Sequence, residues 1–229
     1  MIKRIAILGL ALAPSVALAH TGGTLRLGVS ETHAALSGAA ANMPGLTLGV
    51  GGQYRGVGIR AGVSFARGDG ASLETFGARA VASPHAAVSP YASLGMIDLA
   101  SLGGATTTTD YQVHSGGLIT PTTTTTNLPP RGVAMGYGFV GLRARLDLNP
   151  RWQIAAHAAV GAGIGGSVTG LPAGTTDGSP LATSFGAGIR YRISPHAIAA
   201  LTYSRTAIPV RGATFRCSGV ALTMVRTVQ

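Results

Sequence analysis

Few residues in this sequence stand in an arrangement that could catalyse a reaction. Histidine, serine and an acid together can form a hydrolytic centre, and His114 and Ser115 follow Asp110 closely in the chain. They lie in the threonine-rich segment 106–130, which fixes no geometry between a nucleophile and its base. The glycines of 161–166 do not form a phosphate-binding loop, because neither a helix start nor a lysine follows them. We therefore expect no enzymatic activity and no cofactor.

Metal ligands and cysteines are equally sparse. The tetrapeptide Ser-Pro-His-Ala occurs at 83–86 and 194–197, but neither His85 nor His196 has a second ligand at the usual spacing. We interpret both histidines as turn residues and predict no bound metal. Cys217 is the sole cysteine and can form no internal disulfide, so we interpret it as a small apolar residue of a strand.

The N-terminal segment 1–19 predicts a secretory signal peptide. It has a basic start at Lys3 and Arg4, an apolar stretch, and small residues at Ala17 and Ala19 before a cut at His20. Its apolar core is shorter than the ~20 residues that a membrane-spanning helix needs. The remaining residues 20–229 suffice for one all-β domain.

Arginine is the main charged residue type of the chain. The chain has 17 basic and seven acidic residues and a net charge of +10, and beyond the signal every basic residue is an arginine. Basic surfaces suit nucleic acids or anionic lipid headgroups. Export and the absence of a basic run argue against nucleic acid. The arginines are scattered, often two residues apart, so their spacing calls for a structural explanation.

An alternation with period two supplies that explanation. In 181–193 the odd positions are mostly apolar, while the even positions are small residues together with Arg190 and Arg192. The same division into an apolar face and a small or polar face occurs in 152–165 and 140–147. Successive side chains of a strand point to opposite faces, so the arginines lie away from the apolar face.

Two architectures have strands of this kind. In a soluble sandwich the apolar face is the core, whereas in an outer-membrane barrel it contacts lipid and the lumen is polar. The polar face here is mostly glycine, alanine and serine with isolated arginines, which suits a crowded barrel interior. The chain also has 35 glycines and only 10% charged residues, yet no window of ~18 apolar residues after the signal. We predict an antiparallel up-and-down transmembrane β-barrel.

Turn residues order the strands. Short connections are expected at the two Ser-Pro-His-Ala sites, at Asn149-Pro150-Arg151, and near Arg55-Gly56, where the apolar positions change parity. Longer links are expected at 100–131, 169–180 and 206–213, although threonine favours strands and part of the first link could prolong a hairpin. An eight-stranded barrel is the alternative to the ten predicted strands, which are 24–33, 46–54, 57–67, 72–82, 86–99, 132–147, 151–168, 181–193, 197–205 and 214–226.

Two hairpins carry a resemblance to a known family. The segments are SFGAGIRYRISPHAIAALTYSRTAI (184–208) and GYGFVGLRARLDLNPRWQIAAHAAVGAGIGG (136–166), and they resemble the hairpins of small opacity-type outer-membrane β-barrel proteins. The resemblance implies a lumen filled by side chains, a narrow channel, or room for one small ligand. A paired charge network, with Glu31 as a further partner, would plug it, and unpaired arginines would favour anions. The candidates for the lumen are Arg26, Arg60, Glu74, Arg79, Arg143, Arg145, Asp147, His157, Arg190 and Arg192.

Aromatic residues are expected at the two membrane interfaces, because barrels of this class carry aromatic girdles. Tyr54, Trp152 and Tyr191 fall beside the proposed periplasmic turns, and Phe65, Phe76, Tyr203 and Phe215 beside the proposed outer loops.

We expect a non-enzymatic integral protein of a Gram-negative outer membrane, with a plugged, arginine-lined lumen, a threonine-rich surface loop at 100–131 and a structural or adhesin-like role. Its expected partners are outer-membrane lipid and lipopolysaccharide, with no nucleic acid, and the expected state is a monomer. A narrow outer-membrane channel or a lipid A-modifying barrel enzyme is the second hypothesis, and a secreted soluble β-sandwich is the third.

Overall fold

In the computed structural model the chain is described over residues 23–113, 119–170, 181–210 and 212–228. The predicted signal peptide, His114 and Ser115 lie outside these residues. No helix in the described ranges is long and apolar enough to cross a membrane. Ten antiparallel strands form one closed barrel, in which each strand pairs with the next and the last pairs with the first. The strands are β1 (Gly23–Leu36), β2 (Ala39–Tyr54), β3 (Val57–Gly68), β4 (Ala71–Ala82), β5 (Val88–Val113), β6 (Ile119–Asp147), β7 (Trp152–Thr169), β8 (Ala182–Ser194), β9 (Ala197–Val210) and β10 (Ala213–Val228).

The prediction of a ten-stranded antiparallel barrel is confirmed. The eight-stranded barrel and the two-sheet sandwich are therefore wrong. Two predicted links are also wrong in part. Most of 100–131 is strand, because β5 continues to Val113 and β6 begins at Ile119. The link 206–213 is largely strand as well, with β9 reaching Val210 and β10 beginning at Ala213.

Three of the hairpins close through a two-residue turn with glycine in second place. Ser37-Gly38, Arg55-Gly56 and Asp69-Gly70 all have positive φ at both residues, between 47° and 87°. This is the type I′ geometry, whose twist matches that of paired strands and which favours glycine. The turn predicted from the parity change at Arg55-Gly56 is one of the three.

The outward face of the barrel is apolar over a band of limited height. On β3 the outward side chains of 57–65 are apolar, and Val63 lies opposite Leu48 of β2 and Phe76 of β4. Nine residues span about 30 Å along a strand, which after tilting matches the ~25 Å apolar band of outer-membrane barrels. Large apolar side chains around this band are half-exposed, among them Leu27, Leu48, Leu94, Val140, Val160, Ile189, Leu201 and Leu222.

Charged residues end this band at the same level on several strands. The outward positions become Glu31 on β1, Arg67 on β3, Glu74 on β4, Asp98 on β5 and Arg205 on β9. Charges on the lipid face are costly at the bilayer midplane and tolerated at its surface. The apolar band bounded by charges identifies a transmembrane barrel of the outer membrane.

The two ends of the barrel differ. An even number of strands brings both termini to one end, where 148–151 and 195–196 are short connections. The long β5–β6 hairpin extends from the opposite end. Outer-membrane barrels have short periplasmic turns and longer extracellular loops. By this rule the end with Gly23 and Val228 corresponds to the periplasmic side and the end with the β5–β6 hairpin to the extracellular side, and we name the two ends accordingly.

Candidate functional site

Strand register places five arginines on the inward face of the barrel, close enough for their charges to interact. Residues directly opposite one another on paired strands share a face. Arg60 of β3 lies opposite Arg79 of β4, Arg143 of β6 opposite His157, and Arg190 of β8 opposite Gln153. The guanidinium of Arg60 is in electrostatic reach of the other four members. We call this set, near the periplasmic end of the lumen, the arginine cluster: Arg26, Arg60, Arg79, Arg143 and Arg190.

Glycines make room for these long side chains. Gly49 faces Arg26, and a Cβ at this position would lie 3.7 Å from the Cβ and Cδ of that arginine. Gly51 lies opposite Arg60, and a Cβ there would lie 3.1 Å from the arginine Cγ. The glycine-rich inward face of β2 is thus the complement of two arginines on its neighbouring strands.

The cluster holds more positive charge than its neighbours neutralise. The guanidinium carbon of Arg79 lies 4.4 Å from the ring centroid of Tyr91, and Nη1 of Arg190 donates to Oε1 of Gln153 at 3.2 Å. Both of these partners are uncharged. Of the acids whose side chains the structure describes, Asp147 alone lies on the inward face. The cluster therefore carries an excess of cations.

Asp147 neutralises a different arginine at the periplasmic rim. Its carboxylate accepts two hydrogen bonds from Arg145, at 2.8 and 3.1 Å, and a third from Gln153 at 2.6 Å. Arg192 also lies at this rim, at the exposed end of β8. The rim is polar and accessible, whereas the arginine cluster lies deeper in the lumen.

Above the cluster is a cavity of about 480 Å³, which we call the polar chamber. Its wall carries Tyr137, whose ring fits against Gly95 so closely that a Cβ there would collide with it. Inward hydroxyl groups share the rest of the wall with apolar side chains such as Leu73, Ile97 and Phe139. The hydroxyl groups include those of Ser30, Thr47, Ser64, Thr75, Thr202 and Ser204.

Buried apolar side chains pack together in the lumen toward its extracellular end. We call this layer the apolar roof. Its largest members are almost completely buried, and Leu36, Leu102 and Phe215 have 0% exposure. The roof is formed mainly by Leu36, Met43, Leu73, Leu99, Leu102, Val133, Met135, Ile208 and Phe215.

One arginine crosses the roof from side to side. Arg131 of β6 donates through Nη1 to the carbonyl oxygen of Leu36, at 3.2 Å, and to that of Ser37. β6 lies opposite β1 in the strand order, so this side chain spans the lumen. Arg131 is only 5% exposed and fastens the roof to the β1–β2 turn.

The structure places most of the predicted lumen residues on the inward face. Arg26, Arg60, Arg79, Arg143, His157 and Arg190 lie inside, and Arg145, Asp147 and Arg192 lie at the periplasmic rim. Glu74 is a correction, because it lies opposite Phe65 and Asp98 on the outward face. Glu31, predicted as a partner inside, is outward too, because it lies opposite Val220.

The predicted interface aromatics divide into three groups. Tyr54, Trp152 and Tyr191 face outward at the periplasmic end, and the rings of Trp152 and Tyr191 are 4.7 Å apart between centroids. Phe65, Phe76 and Tyr203 face outward, each two residues from the charged residue that bounds the apolar band on its own strand. Phe215 is a correction: it is fully buried in the apolar roof and contacts no lipid.

Arg131 and Tyr91 are among the lumen residues that were not predicted. Arg131 has the same odd parity as the inward Arg143 and Arg145, so extending the alternation past the predicted strand start would have placed it inside. Tyr91 also has the inward parity of its strand, and it is 5% exposed.

No protein-family model matches the chain, and no curated protein matches it. Among solved structures, neisserial surface protein A has a TM-score of 0.42 and 11% identity, covering 89% of this chain and 96% of its own. The translocator domain of autotransporter NalP from Neisseria meningitidis has a TM-score of 0.43 and 13% identity, covering 96% and 95%. The monoaromatic hydrocarbon channel CymD has a TM-score of 0.32 and 11% identity, covering 94% and 92%. Likeness this distant says nothing of activity, and the assignments here rest on the chain's own residues.

Proposed function

We propose that this protein is a closed, non-enzymatic barrel of the opacity-like type, whose β5–β6 hairpin makes contacts at the cell surface. The observation that carries the proposal is the combination of the apolar roof toward the extracellular end with one hairpin that extends far beyond it. A channel needs an open path, and the buried side chains of the apolar roof support a lumen without one. A contact protein needs an exposed element, and the hairpin provides it.

The hairpin continues well past the membrane boundary. From Asp98 to Val113 the strand β5 adds 15 residues, which is about 50 Å along its direction. Its pairing with β6 continues from Gly104↔Leu128 to Val113↔Ile119. A two-stranded ribbon of this length reaches beyond the lipid surface into the space where other cells and molecules are met.

Both outer edges of this ribbon are open among the described residues. The pairing of β4 with β5 ends at Ala100, and that of β6 with β7 begins at Gly132. Unpaired strand edges bind extended segments of other proteins through backbone hydrogen bonds. The register pairs threonines across the ribbon, as at Thr109 and Thr123, and cross-strand threonine pairs stabilise such a ribbon.

Lipopolysaccharide is the proposed partner of the barrel wall. Arg205 and Arg216 are diagonal neighbours on the outward face of β9 and β10, because Arg205 lies opposite Ser218 and Arg216 opposite Ala207. They lie at the charged boundary of the apolar band, where the phosphates of lipid A would be met. Arginine binds phosphate oxygens in a bidentate manner.

The surface role is tested by shortening the hairpin. Residues 104–128 are replaced by Asn-Gly, a two-residue turn that joins the remaining strands. We expect the shortened barrel to keep its heat-dependent shift in gel migration and to lose adhesion of expressing cells to a surface that the full-length protein binds. Undiminished adhesion by the shortened, folded barrel would contradict the proposal.

An anion channel is the second candidate, and the arginine cluster is the observation that favours it. Planar-bilayer recordings separate the two functions, because the closed roof predicts no conductance for the unmodified protein. A lipid A-modifying activity is tested by mass spectrometry of lipid A from expressing cells. We expect its acyl chains to be unchanged.

A further inference from the structure

The arginine cluster and the polar chamber leave polar groups unsatisfied at one place. Within the described part of the chain, Nε of Arg26, Oγ1 of Thr47 and the hydroxyl of Tyr91 are buried there with no hydrogen-bond partner, and a fourth such atom, Nε of Arg131, lies apart in the apolar roof. Buried polar groups in folded proteins are hydrogen-bonded in the great majority of cases. Arg26 and Thr47 line the chamber, and Tyr91 packs against Arg79 of the cluster. The unsatisfied atoms and the excess of cations thus meet at the same space.

We propose that this space binds a small phosphorylated sugar or polyol that enters from the periplasm. The phosphate lies on the arginine cluster, because guanidinium groups bind phosphate oxygens in pairs and the cluster lacks carboxylates of its own. The hydroxyl-bearing part lies in the polar chamber, whose serine and threonine side chains supply donors and acceptors. At about 480 Å³ the chamber falls within the ~300–1,000 Å³ of pockets that hold small organic ligands.

The direction of entry follows from the two ends of the lumen. The apolar roof packs in the lumen toward the extracellular end, and Arg131 ties it across the barrel. The periplasmic end carries polar, accessible side chains, those of Arg145, Asp147 and Arg192. A ligand that enters there meets the arginine cluster before the polar chamber. Its phosphate therefore stays toward the periplasmic end, and its hydroxyl groups point toward the extracellular end.

This site goes beyond the proposed surface role and shares with it only the closed roof. The two are tested separately, because ligand binding is measured on purified protein without any cell or surface. Failure of adhesion would leave the binding result standing, and failure of binding would leave adhesion standing.

The experiment is isothermal titration of the refolded full-length mature chain in detergent. The probes are glucose 6-phosphate, glucose and inorganic phosphate, at low ionic strength. We expect glucose 6-phosphate to bind at least tenfold more tightly than either of the other two. Its affinity should fall at least threefold when sodium chloride is raised from about 50 to about 500 mM, because the attraction is electrostatic.

Two variants locate the site. Arg60→Gln removes one cluster charge and keeps hydrogen-bonding ability, and we expect it to weaken glucose 6-phosphate binding at least tenfold. Arg67→Gln is the matched control, since Arg67 is an exposed outward residue on the same strand, and we expect no change. Heat-dependent gel migration verifies that both variants are folded.

Several outcomes would overturn the proposal. They are the absence of glucose 6-phosphate binding to the folded unmodified chain, and equal losses in the two variants. Binding of inorganic phosphate as tight as that of glucose 6-phosphate would overturn the role of the chamber. As an independent readout, Cys217 lines the chamber, so bound glucose 6-phosphate should slow its reaction with an anionic methanethiosulfonate at least threefold.

Discussion

Two phenylalanines on opposite faces of the barrel test the assignment of inside and outside. Phe215 of β10 is 0% exposed within the apolar roof, whereas Phe185 of β8 is 47% exposed on the outward face. We expect Phe215→Ala to lower the free energy of unfolding by about 3–5 kcal/mol, the usual range for a buried phenylalanine. Phe185→Ala should lower it by about 1 kcal/mol, because roughly half of its surface makes no protein contact.

The measurement is urea unfolding of the barrel in phospholipid vesicles. Trp152 is the sole tryptophan and faces outward at the periplasmic end, so its fluorescence reports the loss of the membrane environment. Neither substitution touches this reporter directly. The difference between the two variants is more reliable than either value, because both remove the same atoms.

The reasoning would be refuted if Phe185→Ala were as destabilising as Phe215→Ala. That result would mean that the face described here as outward is packed inside the protein. A loss of less than about 1 kcal/mol for Phe215→Ala would refute the apolar roof, because a residue at the mouth of an open lumen makes few contacts.

Two further substitutions address the layers of the lumen in the same unfolding assay. Arg131→Met should lower the free energy of unfolding by about 2 kcal/mol, since hydrogen bonds to charged groups contribute about 1.5–3 kcal/mol each and the loss of a buried charge offsets part of this. Bilayer conductance should also rise. If both the stability and the conductance were unchanged, the role of Arg131 in the roof would be contradicted. Arg60→Gln should raise the free energy of unfolding by about 1 kcal/mol in phosphate-free buffer, because it relieves repulsion within the arginine cluster. A clear loss of stability would mean that the guanidinium of Arg60 is neutralised in the fold.

The alternation that predicted the strands is strong where the two faces differ in polarity. In β7 and β8 apolar side chains face lipid while glycine, serine and arginine face the lumen, so the predicted 151–168 and 181–193 differ by a residue or two from Trp152–Thr169 and Ala182–Ser194. Toward the extracellular end this contrast is lost, because the roof is apolar as well. That explains why Ala39–Met43 of β2 was not predicted as strand and why Phe215 was assigned to the wrong face.

Alternation of polarity cannot predict the strands of the threonine tracts, for a different reason. Thr106–Thr109 and Thr123–Thr126 repeat one residue type, so no period exists that could reveal a strand. Their strand propensity favours extension, but only the pairing of the two tracts, seen in the structure, shows that they form one hairpin. Propensity alone could not choose between a hairpin and a loop.

The arginine cluster could be predicted as a set of inward residues but not as a site. Parity places Arg190 and Arg143 inside their strands, yet which level of the lumen each reaches depends on the stagger between neighbouring strands. A shift of two residues between β3 and β4 would keep Arg60 and Arg79 on the inward face and move them apart. Glu74 shows the opposite error, since an acid was expected inside to balance the charge and the register places it outside.

The apolar roof and the arginine cluster are expected to have opposite effects on the stability of the barrel, and this difference suggests that the cluster has a role other than packing. The roof buries apolar side chains and stabilises the barrel, whereas the cluster brings cations together out of bulk water. A lumen that served only as a plug could be filled with roof-like side chains at every level. In the two functions that we propose, the cluster serves an anion that approaches from the periplasm, and the β5–β6 hairpin acts at the other end. Because these sites lie at opposite ends of a rigid barrel, we expect the hairpin deletion to leave glucose 6-phosphate binding unchanged and Arg60→Gln to leave adhesion unchanged. Loss of both properties in either folded variant would show that the two ends are coupled.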